Sequence, residues 1–195
     1  MRAWLNRWRR RVARVLLYRV VFGEHSQGRT LAHTRISPAA CIEHEEKLTL
    51  GDHVFIGPFN FIEASAGVTL DDGVQVTSHV SIVTHSSHRA MRLLRERFVT
   101  WPGDPTTRPG WIAGPVQIGA WSFIGPHSLI EANTRLGVGT VVCAGSQVRG
   151  EYPDFAVLEG RPARVVGDSR QADERLLERH PELRAHYDAW ALPSR

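Results

Sequence analysis

Lysine is almost absent from this chain, cysteine is rare, and no long apolar run interrupts it. Lys47 is the only lysine, so the formal charge of +4 is carried by arginine, and the excess gathers at the N-terminus. No basic stripe interleaved with aromatics follows, nor any recognisable nucleic-acid motif, which excludes nucleic acid as the expected partner. The two cysteines, Cys41 and Cys143, stand alone without metal-ligand spacing and are expected to be reduced core thiols. Arg14 and Arg19 break the N-terminal apolar residues well short of the ~20 that a membrane span needs. No small-residue cleavage site follows them, so neither a transmembrane helix nor a signal peptide is expected, and the protein is expected in the cytoplasm. A length of 195 residues with 42% hydrophobic content suits one folded unit with short appendages.

What is present is a period of six. Ile118, Ile124, Ile130, Leu136, Val142 and Val148 recur at that spacing, each preceded two positions earlier by a small or β-branched residue: Val116, Ser122, Ser128, Thr134, Thr140 and Ser146. Upstream the same register holds Leu50, Ile56 and Ile62, then Leu70, Val76 and Ile82 after a small insertion. A helix repeats its apolar face at 3.6 residues and a half-buried strand at 2, so a sustained six with glycine at the corners predicts a coil of short parallel strands. Two turns are near copies, Ile56–Ala64 (IGPFNFIEA) and Ile124–Ala132 (IGPHSLIEA), as duplication of a stacking unit would leave them.

With these repeats and the segment GRPARVVG at Gly160–Gly167, the region from Ile36 to Val166 resembles the hexapeptide-repeat acyltransferases. The resemblance implies an all-β fold, a left-handed parallel β-helix assembled as a homotrimer. The handedness is implied by the family alone, since the general crossover preference is right-handed. Three spans follow: a basic amphipathic helix and linker over 1–34, the repeat domain over 35–167 and a C-terminal helical tail over 168–195. Residues 1–22 hold seven arginines and no acid, with Trp4, Leu5, Trp8, Val12, Val15 and Leu16 on one helical face. That face is expected to make peripheral contact with anionic headgroups at the inner face of a membrane, or to cap the coil or pack on a neighbouring subunit. The coil is broken over 83–115 by an excursion rich in proline, and a loop this long inside a compact domain is expected to act as a lid. Beyond Asp168 an apolar stripe of Leu176, Leu177, Leu183, Tyr187 and Trp190, interrupted by Pro181, predicts two helical pieces covering the end of the coil.

His85 and His88 lie where the coil opens into the excursion, in THSSHRAMR, and an imidazole at such a junction is a candidate general base. In the family a histidine shortly after the aliphatic of this turn deprotonates the acceptor hydroxyl. Counted from Ile82 its usual position is Ser87, so His88 is expected as the base after a one-residue insertion, with His85 as the alternative or an orienting neighbour. The hydroxyl would attack the thioester of acetyl-CoA, with a backbone N–H stabilising the oxyanion. No acyl-enzyme is expected, because neither cysteine is near the histidines. The stretch VVCAGSQVRGEYP resembles the family's coenzyme-binding edge, which implies Ala144, Arg149 and Arg164 as acetyl-CoA contacts, Arg164 suiting a phosphate through its planar fork. Asn60, Glu63 and Glu131 are unassigned polar residues beside coil aliphatics.

The expected activity is therefore acetyl transfer to a sugar or glycan hydroxyl in cell-surface glycan biosynthesis, with no metal. Two other classes stay open: a β-helical metalloenzyme of the carbonic-anhydrase-like type, with His79 and His85 stacked on adjacent turns, and a non-catalytic repeat scaffold. A catalytic zinc site would ask for three protein ligands, and no third is evident in the sequence.

Overall fold

The computed structural model describes residues 2–191. Residue 1 and residues 192–195, the outermost parts of the expected terminal spans, lie outside the described residues. The six-residue period folds into three parallel sheets stacked as the faces of a triangular coil. Face 1 stacks Arg35–Ile36, Phe55–Ile56, Gln75–Val76, Phe123–Ile124, Val141–Val142 and Ala156–Gly160. Face 2 stacks Cys41–Glu43, Phe61–Glu63, Ser81–Val83, Leu129–Ile130 and Gln147–Val148. Face 3 stacks Leu48–Leu50, Val68–Leu70, Val116–Ile118, Thr134–Leu136 and Glu151–Tyr152. Register is strict: Ile62 pairs with Ile82 and Ile82 with Ile130 up face 2.

The periodic aliphatics make the core. Ile56, Ile62, Leu70, Val76, Ile82, Ile118, Ile124, Ile130, Val142 and Val148 are all fully buried, each contributing roughly 1.5–3 kcal/mol relative to exposure. The small residues two positions earlier are buried for a different reason. Ser128 and Ser146 hydroxyls both donate to the Cys143 carbonyl, at 3.2 and 2.7 Å, and Ser122 and Thr140 both donate to the Gly137 carbonyl, at 3.1 and 2.7 Å. They supply hydroxyl donors to the corner carbonyls of Cys143 and Gly137. At Gly57 and Gly125 a Cβ would lie 2.6 Å from the carbonyl oxygens of Thr77 and Val142 on the next turn. The repeated Ile-Gly-Pro corner thus needs glycine for close stacking.

Two sequence expectations are corrected. Cys41 is exposed and Cys143 only partly buried, because each neighbours an inward aliphatic, Ile42 or Val142, and so points out of the coil. The segment expected as a polar linker forms a hairpin, Glu24–Ser26 with Arg29–Leu31. Its Leu31 is buried and its Ser26 hydroxyl accepts from the Leu50 N–H at 2.9 Å, so it covers the first turn.

Helix α1 (Arg2–Leu17) precedes that hairpin, and α2 (His88–Leu94) lies within the excursion. After the last turn Ala163–Asp168 pairs antiparallel with Ala156–Gly160. The chain then forms α3 (Ser169–Leu177) and α4 (Arg184–Ala191), separated by a single 3-10 turn starting at Pro181. Asp168 caps α3 by accepting from the Arg170 N–H at 2.9 Å, and the Ser169 hydroxyl donates to Gly139 O at 2.9 Å. Trp190 packs on Phe155, ring centroids 5.6 Å apart, so this tail lies against the upper turns.

Candidate active site

The excursion leaves face 2 after Val83 and returns to face 3 at Val116. Its two ends are tied by an antiparallel pair, His85–Ser86 with Ile112–Ala113, which fixes His85 at the base of the loop. The imidazole is held on three sides. Its Nδ1 lies 2.8 Å from Glu63 Oε2 and 3.2 Å from the Ser65 hydroxyl, and the Trp111 ring stacks on its face at 4.8 Å. With Nδ1–H donating to Glu63, Nε2 is left with a free lone pair.

Glu63 is almost wholly buried at 3% exposure and stays ionised through its donors. Oε1 accepts from the Ser65 N–H at 2.8 Å, and Oε2 accepts from the Thr84 N–H and hydroxyl at 3.1 and 2.8 Å. Burial pushes the carboxyl up, but the hydrogen bonds from Ser65, Thr84 and His85 outweigh it and hold the pKa at about 2. Sequence reasoning left Glu63 unassigned. Its signal was positional: Glu63 and Val83 are register partners on adjacent turns of face 2, which sets Glu63 two residues of chain from His85 on the stacked turn.

His88 is differently placed. It is exposed at the start of α2, and its Nδ1 lies 2.7 Å from the Ser86 hydroxyl. Both histidines line a cleft of roughly 310 Å³ with Ser86, Glu131 and Arg149. The structure therefore gathers His85, His88 and Arg149, and separates them from the other residues expected to meet the coenzyme. Ala144 is exposed on the corner between faces 1 and 2, next to Gly145, whose carbonyl accepts from Arg161 Nε at 2.5 Å. Arg164 is exposed on the terminal antiparallel strand opposite Glu159.

The pairing of His79 with His85 is overturned. His79 sits at the other end of its strand, on a left-handed corner with φ of 58°, and stacks on His127 at 4.9 Å and Phe59 at 5.0 Å. Among the described residues the group whose donor atoms approach closely enough to share a metal ion is His33, Asp52 and His53, remote from His85 in the coil. Both Asp52 oxygens are already engaged. Oδ1 accepts the N–H groups of His33 and His53 at 2.8 Å each, and Oδ2 lies 2.9 Å from His33 Nδ1. The group braces a corner.

No family model matches the chain. It is 30% identical over 146 residues to the probable acetyltransferase Rv3034c of Mycobacterium tuberculosis, a match covering 73% of this chain and 44% of that protein. It is 27% identical over 115 residues to the putative lipopolysaccharide biosynthesis O-acetyl transferase WbbJ of Escherichia coli, covering 59% and 57% respectively. Among solved structures, the hexapeptide-repeat acetyltransferase VCA0836 of Vibrio cholerae, complexed with acetyl coenzyme A, superposes with a TM-score of 0.53 at 26% identity, over 68% of this chain and 66% of that one. The period of six, the three stacked parallel faces and these likenesses agree: the chain belongs to the hexapeptide-repeat acyltransferase family. It spans less than half the length of the mycobacterial relative.

Proposed function

We propose that the protein transfers an acetyl group from acetyl-CoA to a sugar hydroxyl, with His85 as general base. The observation that carries this reading is the His85–Glu63 pair at 2.8 Å, a buried carboxylate behind an imidazole that faces a cleft. Glu63 fixes the tautomer with its proton on Nδ1 and stabilises the imidazolium that forms when Nε2 takes the acceptor proton. The acceptor oxygen attacks the thioester carbon, the tetrahedral oxyanion collapses, and the C–S bond breaks. His85 then returns its proton to the departing CoA thiolate. Ala144, Arg149 and Arg164 are the proposed coenzyme contacts, with Arg149 nearest the reacting groups because it lines the histidine cleft.

A sugar acceptor is supported by the likeness to the putative lipopolysaccharide biosynthesis O-acetyl transferase WbbJ and by the polar lining that Glu131, Ser86 and His88 give the cleft. A left-handed winding and a homotrimer accompany the family reading. Exposed Met91, Leu93 and Val99 on the excursion, at 53%, 67% and 83%, leave apolar surface for a second coil to cover, and the excursion acts as a lid over the cleft. The experiment is thiol release from acetyl-CoA across a panel of sugars and nucleotide sugars, with product mass confirming one added acetyl group. Absence of acceptor-dependent thiol release across the panel, with acetyl-CoA failing to bind in equilibrium dialysis, would overturn the proposal.

A further inference from the structure

Helix α1 buries no residue along Arg2–Leu17. Past its end the chain is joined to the coil: Tyr18 meets Phe59 edge-on at 5.6 Å, the Arg35 guanidinium lies over Phe22 at 5.1 Å, and the Gly23 N–H donates to Thr34 O at 3.0 Å. The helix is thus an arm whose faces the rest of the chain leaves uncovered.

Its residues are sorted by face. At about 100° per residue, Trp4, Val15, Trp8, Val12, Leu5 and Leu16 fall within an arc of roughly 120°. Trp4, Trp8 and Leu16 are 66%, 52% and 70% exposed. Arg2 and Arg9 border one edge of that arc, and Arg7, Arg11 and Arg14 lie along the other. The first acidic residue of the chain is Glu24, so nothing within the helix neutralises this charge.

We infer that α1 is an interfacial helix that docks the protein on an anionic lipid surface. The chemistry selects that partner. Indole and aliphatic side chains enter the boundary between headgroups and acyl chains, while flanking arginines reach up to phosphates on both sides. A second copy of the same helix is a poor occupant, because pairing the apolar arcs would set rows of arginine against each other with no acid between them. No helix among the described residues is long and apolar enough to cross a membrane. This inference stands on the helix alone and is independent of the acetyl-transfer reading.

The test uses the full chain with vesicles of phosphatidylglycerol mixed with phosphatidylcholine, compared with phosphatidylcholine alone. The protein should co-sediment with the anionic vesicles, and added salt should release it. The Arg9→Glu, Arg10→Glu double variant should partition at least about tenfold more weakly, and Trp4→Ala with Trp8→Ala should remove the blue shift of tryptophan emission on binding. Both variants should keep the thermal unfolding midpoint of the parent, since the altered side chains are exposed. Equal sedimentation with neutral vesicles, or variants that bind like the parent, would overturn the inference. So would a fall in sedimentation-velocity mass of the tryptophan variant without vesicles, which would mean that the face closes on another copy.

Discussion

Trp111 lies against His85 with ring centroids 4.8 Å apart and planes 10° from parallel. The two residues stand at opposite ends of the excursion and meet because its stem closes as a strand pair. A stacked indole limits the imidazole's rotation. Trp111→Ala should lower kcat between about 10- and 100-fold, the scale of a misplaced catalytic group, while leaving the KM for acetyl-CoA nearly unchanged. Trp111→Phe should restore most of the loss. A purely structural indole would instead lower the unfolding midpoint and spare the turnover of the folded fraction.

His85→Ala should lower kcat by about 10² to 10⁴, the range for losing general acid–base assistance. His88→Ala should cost less than about tenfold, because among the described residues the hydrogen-bond partner of His88 is the Ser86 hydroxyl and not a carboxylate. Steady-state rates of the two variants with one confirmed acceptor decide the matter. If His88→Ala is the silent enzyme and His85→Ala the active one, the base is His88 and the one-residue insertion inferred from the sequence is real.

The coil was legible because its period is a packing rule: an inward aliphatic every sixth residue, one on each face, can be counted without coordinates. The site was legible only in part. His85 and His88 stand out because they sit where the period fails, but choosing between them requires knowing which imidazole meets Glu63. That contact crosses from one turn to the next, and it becomes visible in sequence only when Glu63 is set above Val83 in the stacked register. Trp111 was beyond reach for a related reason. Nothing in the proline-rich excursion fixes how its far end returns, since loop geometry follows from the stem pairing and not from a repeat. The cysteines were misplaced because a position beside an inward aliphatic shares its neighbour's repeat but points the other way.

Glu63 should make the protein acid-sensitive in a defined window. Its carboxyl has an ordinary pKa of 4.5 and a folded value of about 2. A depressed folded pKa contributes stability that is fully present above the unfolded value and is lost as pH falls from about 4.5 toward about 2. Denaturant unfolding measured across that interval should show stability falling with acid in the parent and a shallower fall in Glu63→Gln. At neutral pH Glu63→Gln should also lower kcat, as an amide cannot stabilise the imidazolium. Identical acid slopes in the two proteins would show that the carboxylate is not held ionised as the geometry indicates.

Arg149 and Arg164 should separate kinetically, although both belong to the proposed coenzyme edge. Arg164 is exposed on the terminal strand, opposite Glu159 and away from the histidine cleft. A contact there to the phosphorylated end of the coenzyme is the same in the ground state and the transition state. Such uniform binding changes KM without changing kcat. Arg164→Ala should therefore raise the KM for acetyl-CoA about three- to tenfold, the modest effect expected of an exposed charge pair, at nearly constant kcat. Arg149 lines the cleft with His85, His88 and Glu131, and under the proposed mechanism its positive charge would favour the developing oxyanion over the bound substrate. Arg149→Ala should depress kcat together with kcat/KM, and Arg149→Lys should recover part of both. A pure KM effect in Arg149→Ala would move that side chain out of the reacting region and leave it with Arg164 as a binding contact alone.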